Sequence, residues 1–168
     1  MGQEGVFRTI AAPASDGSRS FGEPVLNDGG TAAFETSFFD EITGEFVTAI
    51  VTGNGGPLTT VADTTGPVGA FAFRPPSINN TGEVAFLAIL DDFQTTGIFT
   101  GPDAAEDRVV ATGDELDGAI VSNLSFCEEV LNDSGDLAFI ATLDELDGTR
   151  SPITGSPCIW IACSPIEG

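Results

Sequence analysis

An all-β fold built from about three four-stranded repeat units of ~52 residues follows from three features of the 168-residue sequence. One motif recurs at offsets of 52 and 53 residues. The segments around it are short, apolar and bounded by Gly, Asn and Asp, which is the signature of strands and not of independent helices. The 21 glycines and 10 prolines then leave few places for a helix to start.

The first element is the repeat turn and the strand it launches. Asn27-Asp28-Gly29-Gly30-Thr31-Ala32-Ala33-Phe34 aligns with Asn79-Asn80-Thr81-Gly82-Glu83-Val84-Ala85-Phe86 and with Asn132-Asp133-Ser134-Gly135-Asp136-Leu137-Ala138-Phe139, giving the pattern NxxGxxAF three times. Asn and Asp tolerate positive φ and bond their own backbone, and glycine takes the strained position freely, so each N-x-x-G predicts a hairpin turn. The match extends upstream, with Phe21, Phe73 and Phe126 six residues before each asparagine and Leu26, Ile78 and Leu131 directly before it. Val84–Leu90 and Leu137–Leu143 are β-rich apolar runs that read as strands. A second strand follows in Ala49-Ile50-Val51, Gly97-Ile98-Phe99 and Cys158-Ile159-Trp160. A third is built on Val61-Ala62 and Val110-Ala111, and Arg8–Ala12 carries its equivalent at the start.

Four-stranded repeats of this length predict propeller-like blades or an open β-repeat arc, with a β-solenoid or a two-sheet sandwich as the other architectures such units build. A single domain spanning 1–168 divides into a half-unit 1–26, repeats 27–78 and 79–131, and a half-unit 132–168. The first half-unit holds the last two strands of a unit and the last half-unit holds the first two. Unpaired strand edges recruit partner strands, so the complementary halves pair either within one chain, closing a cramped three-bladed ring, or head-to-tail between copies, generating rings or filaments, and the filament is the outcome expected.

The three in-phase copies resemble the NxxGxxAF tandem-repeat family of bacterial surface and extracellular proteins. That resemblance implies a propeller-like β-repeat, an extracellular or cell-surface location and no enzymatic activity. Members of that family usually carry a signal peptide and a C-terminal anchor, whereas Met1-Gly2-Gln3-Glu4 lacks the basic and apolar regions of a signal peptide.

Composition excludes chemistry as firmly as the repeat predicts structure. The chain has 26 Asp and Glu against 5 Arg and Lys, for a net charge of −21, and it has no His and no Tyr. Such a surface repels nucleic-acid phosphates and anionic lipid headgroups. Without imidazole, lysine amine or phenol, carboxylates and three cysteines are the only groups left for acid–base or covalent work, and the expectation is a non-enzymatic protein that needs no cofactor. The longest apolar run, Val84–Leu90, is far too short to span a bilayer. A hydrophobic content of 41% and a mean hydropathy of +0.17 are those of a folded chain.

Several clusters carry a second reading beside a structural one. Asp114-Glu115-Leu116-Asp117-Gly118 recurs as Asp144-Glu145-Leu146-Asp147-Gly148. These are solvated acidic turns first, and hard-cation sites second, with Asp114, Asp117, Asp144 and Asp147 offering oxygens to Ca²⁺ without the ligand spacing of a calcium loop. N-x-S/T sequons begin at Asn79, Asn123 and Asn132, two of which are also the turn asparagines. Cys127, Cys158 and Cys163 allow one disulfide in an oxidising compartment; five residues of extended strand keep Cys158 and Cys163 apart, so Cys127 pairs with one of them. Asp91, Asp92, Glu128 and Glu129 are carboxylates of the type that hydrolyse glycosides in pairs. Phe38, Phe39 and Phe93 are the loop aromatics, and Trp160 sits in a strand pattern. The function expected is therefore a structural protein that self-assembles head-to-tail by strand complementation into a filament or surface layer. The alternative is a carbohydrate- or ligand-binding module of a secreted protein.

Overall fold

A computed structural model describes residues 7–12, 19–72, 74–125, 130–145 and 158–163, with side chains placed except at 145 and 158–163. The described chain is all-β, in three antiparallel sheets, with no helix among the described residues and no sheet closed into a barrel. In sheet 1, β1 (Arg19–Phe21) and β2 (Val25–Leu26) both pair with β3 (Ala32–Asp40), followed by β4 (Glu45–Gly53) and β5 (Thr59–Asp63). Sheet 2 repeats this with β6 (Val68–Phe71) and β7 (Ser77–Ile78) on β8 (Val84–Leu90), then β9 (Thr96–Phe99) and β10 (Arg108–Ala111). Sheet 3 runs β11 (Glu115–Leu116), β12 (Ala119–Ser125), β13 (Leu137–Glu145) and β14 (Cys158–Cys163) in spatial order.

The sheets are out of phase with the sequence repeat. Strands β1 and β2, which precede the first asparagine, pair with the strand that follows it, so each asparagine turn lies inside a sheet and the sheets span 19–63, 68–111 and 115–163. Residues 8–12 form no strand; Ile10 and Ala11 instead rest on one face of sheet 1. The complementarity between the two ends of the described chain is thus one segment against three strands, where the sequence divides it two against two. Register also sharpens the third-strand equivalence. The Thr48 and Thr96 amides donate to Oγ1 of Thr64 and Thr112, and Ile50 and Ile98 face Ala62 and Val110. Ala62 therefore corresponds to Val110, one residue out of step with the sequence alignment.

Consecutive residues of a strand point to opposite faces, and the Ala-Phe pair exploits this by setting a small side chain on one face and a large one on the other. Ala33, Ile50 and Ala62 of sheet 1 pack against Val68, Phe71, Val84, Phe86, Ala88 and Phe99 of sheet 2. Ala85, Ile98 and Val110 of sheet 2 pack in the same way against Val121, Leu124, Leu131, Leu137, Phe139 and Ala141 of sheet 3. Each gap between sheets receives an alanine from the sheet before and a phenylalanine from the sheet after, so the sheets stack face to face in chain order. Phe34 occupies the equivalent place on the leading face of sheet 1, where Ala32, Ala49 and Val51 form a cluster with Ile10 and Ala11. Phe21 meets the Phe34 ring edge-on at 5.7 Å, while Phe73 and Phe126 lie outside the described residues.

Phe86 is the most enclosed of the three repeat phenylalanines in aromatic contacts, with Phe71 edge-on at 5.5 Å and Phe99 stacked at 6.1 Å. Truncating it to alanine opens a cavity between two layers. Phe86→Ala is expected to cost about 3–5 kcal/mol in chemical denaturation, against about 1 kcal/mol or less for the exposed Phe46→Ala.

Candidate functional site

The three repeat turns lie on top of one another at the seam between layers, and the asparagines make them do so. Within its own turn each asparagine closes a five-residue hairpin loop. The Asn27, Asn79 and Asn132 amides donate to the carbonyls of Thr31, Glu83 and Asp136, and the amides of Gly30, Gly82 and Gly135 donate back to the asparagine carbonyls. The glycines have φ of 78°, 90° and 83°, a region that costs a side chain about 1 kcal/mol or more, whereas the asparagines are not among the positive-φ residues. Each side-chain Oδ1 accepts backbone N–H groups inside the loop: from Thr31 at Asn27, from Thr81 and Glu83 at Asn79, and from Ser134 and Asp136 at Asn132.

Nδ2 of Asn27 and of Asn79 reaches out of its loop to the next. Asn27 Nδ2 donates to the Asn79 carbonyl at 2.9 Å, and Asn79 Nδ2 donates to the Asn132 carbonyl at 2.9 Å. A second ladder runs beside the first. The Asp28 amide donates to Asn80 Oδ1 and the Asn80 amide to Asp133 Oδ1, both at 2.8 Å. Asn80 Nδ2 then bridges the flanking carboxylates, at 3.0 Å from Asp28 Oδ2 and 3.1 Å from Asp133 Oδ2. Ser77 Oγ adds a third link by accepting from the Val130 and Leu131 amides. No buried side-chain nitrogen or oxygen lacks a partner among the described residues. The sequence reading recognised the turn and missed the ladder. The signal was present in the asparagine at the first position of all three copies, where aspartate would serve the loop equally well but has no hydrogen to give the next layer.

The three sequon asparagines differ in their surroundings. Asn79 is only 3% exposed and its Nδ2 is held by two acceptors, the Asn132 carbonyl and Glu83 Oε2, so its place is in the seam and not at an acceptor site. Asn132 is exposed, with Nδ2 on Asp136 Oδ2. Asn123 stands apart, exposed on β12 opposite Thr142.

Of the two acidic repeats, only Asp114–Gly118 lies wholly within the described residues. Asp117 and Gly118, with φ of 51° and 78°, form the two-residue turn of a hairpin in which Leu116 faces Ala119. This is the Asp-Gly type I′ signature, legible in the sequence but read there only as an acidic loop. Asp114 Oδ2 accepts from the Ala111 amide while Oδ1 pairs with Arg108 at 3.4 Å. Asp144 is opposite Ile120 in β13, and Asp147 lies outside the described residues. No three metal-ligating side chains come together among the described residues. Backbone register puts Cys158 opposite Thr142 and Cys163 opposite Leu137, at the two ends of β14, and Trp160 opposite Ile140; Cys127, Glu128 and Glu129 are outside the described residues. Asp91 caps nothing itself, but its amide donates to the Pro67 carbonyl. Asp92 is held below the usual carboxylate range by the Thr95 hydroxyl and the Thr95 and Gln94 amides, which suits a turn cap and not a proton donor.

Far from the ladder along each sheet, the β3–β4 and β8–β9 hairpin tips expose aromatics: Phe39 and Phe46 meet edge-on at 5.3 Å, and Phe93 is 70% exposed. Phe38 is half-buried beneath the Arg19 guanidinium, 4.8 Å from the ring centre. A pocket of about 200 Å³ between sheets 1 and 2 is lined by Gly22, Glu23, Glu35, Arg74 and Pro75. Glu35 takes the strand position that Leu87 and Ile140 take in the other repeats, and burial there pushes its carboxyl above its ordinary value of 4.5.

Two outcomes follow. Asn79→Ala is expected to cost about 2–3 kcal/mol by removing a buried cap and an interlayer donor together, and Asn132→Ala about 1 kcal/mol, since its amide reaches no further layer. Because the folded-state value of Glu35 is raised, its ionised form opposes folding. Its contribution to stability is therefore fully present below the unfolded value of 4.5 and is lost as pH rises through the raised folded value. Glu35→Gln is expected to raise the melting temperature at neutral pH and to flatten that part of the pH profile.

No curated protein and no solved structure matches the chain. A family model does match, over residues 3–161, a span that takes in all three sheets except the last two residues of β14. The chain belongs to this family, described as a family of unknown function (DUF7453).

Proposed function

We propose that this chain is a non-enzymatic structural repeat protein of the cell surface or extracellular space that assembles end to end, each copy completing the last sheet of the one before. The single observation carrying this reading is the position of Ile10 and Ala11. They cover the leading face of sheet 1 as Ala62 covers sheet 2 and Val110 covers sheet 3, yet they belong to no sheet among the described residues. They take the place on sheet 1 that the fourth-strand residues Ala62 and Val110 take on sheets 2 and 3, and no other strand of such a layer lies among the described residues. Sheet 3 has the converse form. Its β14 corresponds to β4 and β9, which pair with β5 and β10, and among the described residues β14 is an edge.

Laying a second copy after sheet 3 brings both together. Its residues 8–11 run beside β14 as a fourth strand, and its Phe34 face covers the half-buried Ala138 and Ile140 of β13. The contact is the interlayer packing already made twice within one chain, repeated between chains, and it is heterologous, so it propagates. The NxxGxxAF resemblance supports the same reading and the extracellular location with it.

A second reading, a carbohydrate- or ligand-binding module, is favoured by the Phe39–Phe46 pair and Phe93 at hairpin tips that also carry Asp40, Glu41, Asp91 and Asp92. Aromatic faces beside carboxylates suit sugar rings and their hydroxyls.

Light scattering in about 0.5 M salt, which shortens the screening length below 5 Å or so, is expected to show oligomers that lengthen with protein concentration. A synthetic peptide of residues 7–12 in excess is expected to shorten them by occupying the β14 edge. Monomers at every concentration, unaffected by the peptide, would sink the proposal.

A further inference from the structure

The turn ladder has a property that packing alone does not give: its second rung alternates acid, amide, acid. Asp28, Asn80 and Asp133 hold that position in the three layers, and the Asn80 amide nitrogen lies between the two carboxylates and bonds both. Within the chain no two carboxylates of this row are neighbours. The first ladder has no such restriction, since Asn132 of one copy meets the Asn27 carbonyl of the next in the relation that Asn27 has to Asn79.

End-to-end stacking breaks the alternation at one place. The layer after sheet 3 is sheet 1 of the next copy, so Asp133 is followed by Asp28 with no amide between them. The remaining titratable groups on the stacked turns are Glu83, bonded to Asn79, and Asp136, bonded to Asn132. None of the residues 27–31, 79–83 or 132–136 is basic, so nothing on these turns neutralises the pair. Two anions held one rung apart repel, and the repulsion weakens only when a proton or dense salt intervenes.

We propose that the facing Asp133 and Asp28 carboxylates make the joint between copies charge-gated: it stays open at low salt and closes when the charges of the pair are screened. This rests on the end-to-end reading above and specifies how that contact is regulated. A turn with an amide at the second position, as in the middle layer, follows an aspartate without this repulsion.

The test is sedimentation velocity on the whole chain at neutral pH in low salt and in about 0.5 M salt. The wild-type chain is expected to be monomeric in the first condition and associated in the second. Asp28→Asn keeps an oxygen for the Asn80 amide and restores an amide to the joint. It is expected to associate at neutral pH and low salt at concentrations about tenfold or more below those the wild type needs. Asp133→Asn is expected to do the same and serves if the first variant is poorly folded by circular dichroism. Glu41→Gln, at a hairpin tip away from the ladder, removes the same charge and is expected to match the wild type. Wild-type association that neither substitution strengthens would overturn the gate while leaving end-to-end assembly standing. Absence of association by the wild type in salt and by both variants would overturn both.

Discussion

The carbonyl of each repeat asparagine accepts the glycine amide of its own turn and keeps a second lone pair for the neighbouring layer. At Asn79 and Asn132 the asparagine of the preceding turn meets it. One side chain performs two tasks with its two ends: the oxygen holds its own loop shut, and the nitrogen fastens the next loop at 2.9 Å. Everything else about the stack is set to bring those loops into range. The glycine that follows lets the loop turn tightly, and the Ala-Phe pair that follows the loop sets the distance between sheets by placing a small group against a large one. A bulkier residue at Ala33 or Ala85, both fully buried, would hold the sheets apart and draw the loops out of hydrogen-bonding reach.

Most of the fold was legible in the sequence because its periodicities are local. The N-x-x-G turn, the alternation through Ala-Phe and the punctuating glycines depend on neighbours within about ten residues, so they announce strands and hairpins directly. What the sequence could not display was which strands share a sheet. The repeat begins at Asn27 by similarity, but hydrogen bonding groups β1 and β2 with the strand after that asparagine, and nothing in the pattern of residues 19–26 marks the partner. The match of Ala62 with Val110 is invisible for a similar reason, since it is set by pairing register, with an equivalent bulge at Val61 and Val109, whereas the two Val-Ala pairs suggest the alignment one residue away.

The candidate site was harder still. Asn79 was read as a loop former and as a sequon, both of which are properties of a tripeptide; its interlayer bond spans 53 residues and exists only once the layers are stacked. Asp117-Gly118 was a different kind of omission, because the hairpin signal was written in two adjacent residues and was overshadowed by the charge around them. Glu35 falls between these cases. Its departure from Leu87 and Ile140 is visible by alignment, yet only the pocket beside Arg74 and Pro75 shows why that position matters.

Because, among the described residues, the apolar clusters join each sheet to its neighbours in chain order, the stack has the thermodynamics of a zipper. Its stability is a sum of what each layer gains alone and what each interface adds, and for such a system the interface term decides whether the chain melts as one body or frays. The middle sheet is held on two faces and each outer sheet on one, so the outer sheets are the first to open and the middle sheet is the last to lose its protection. Adding a layer at either end converts an outer sheet into an inner one, and the structure becomes more resistant to unfolding as it becomes longer.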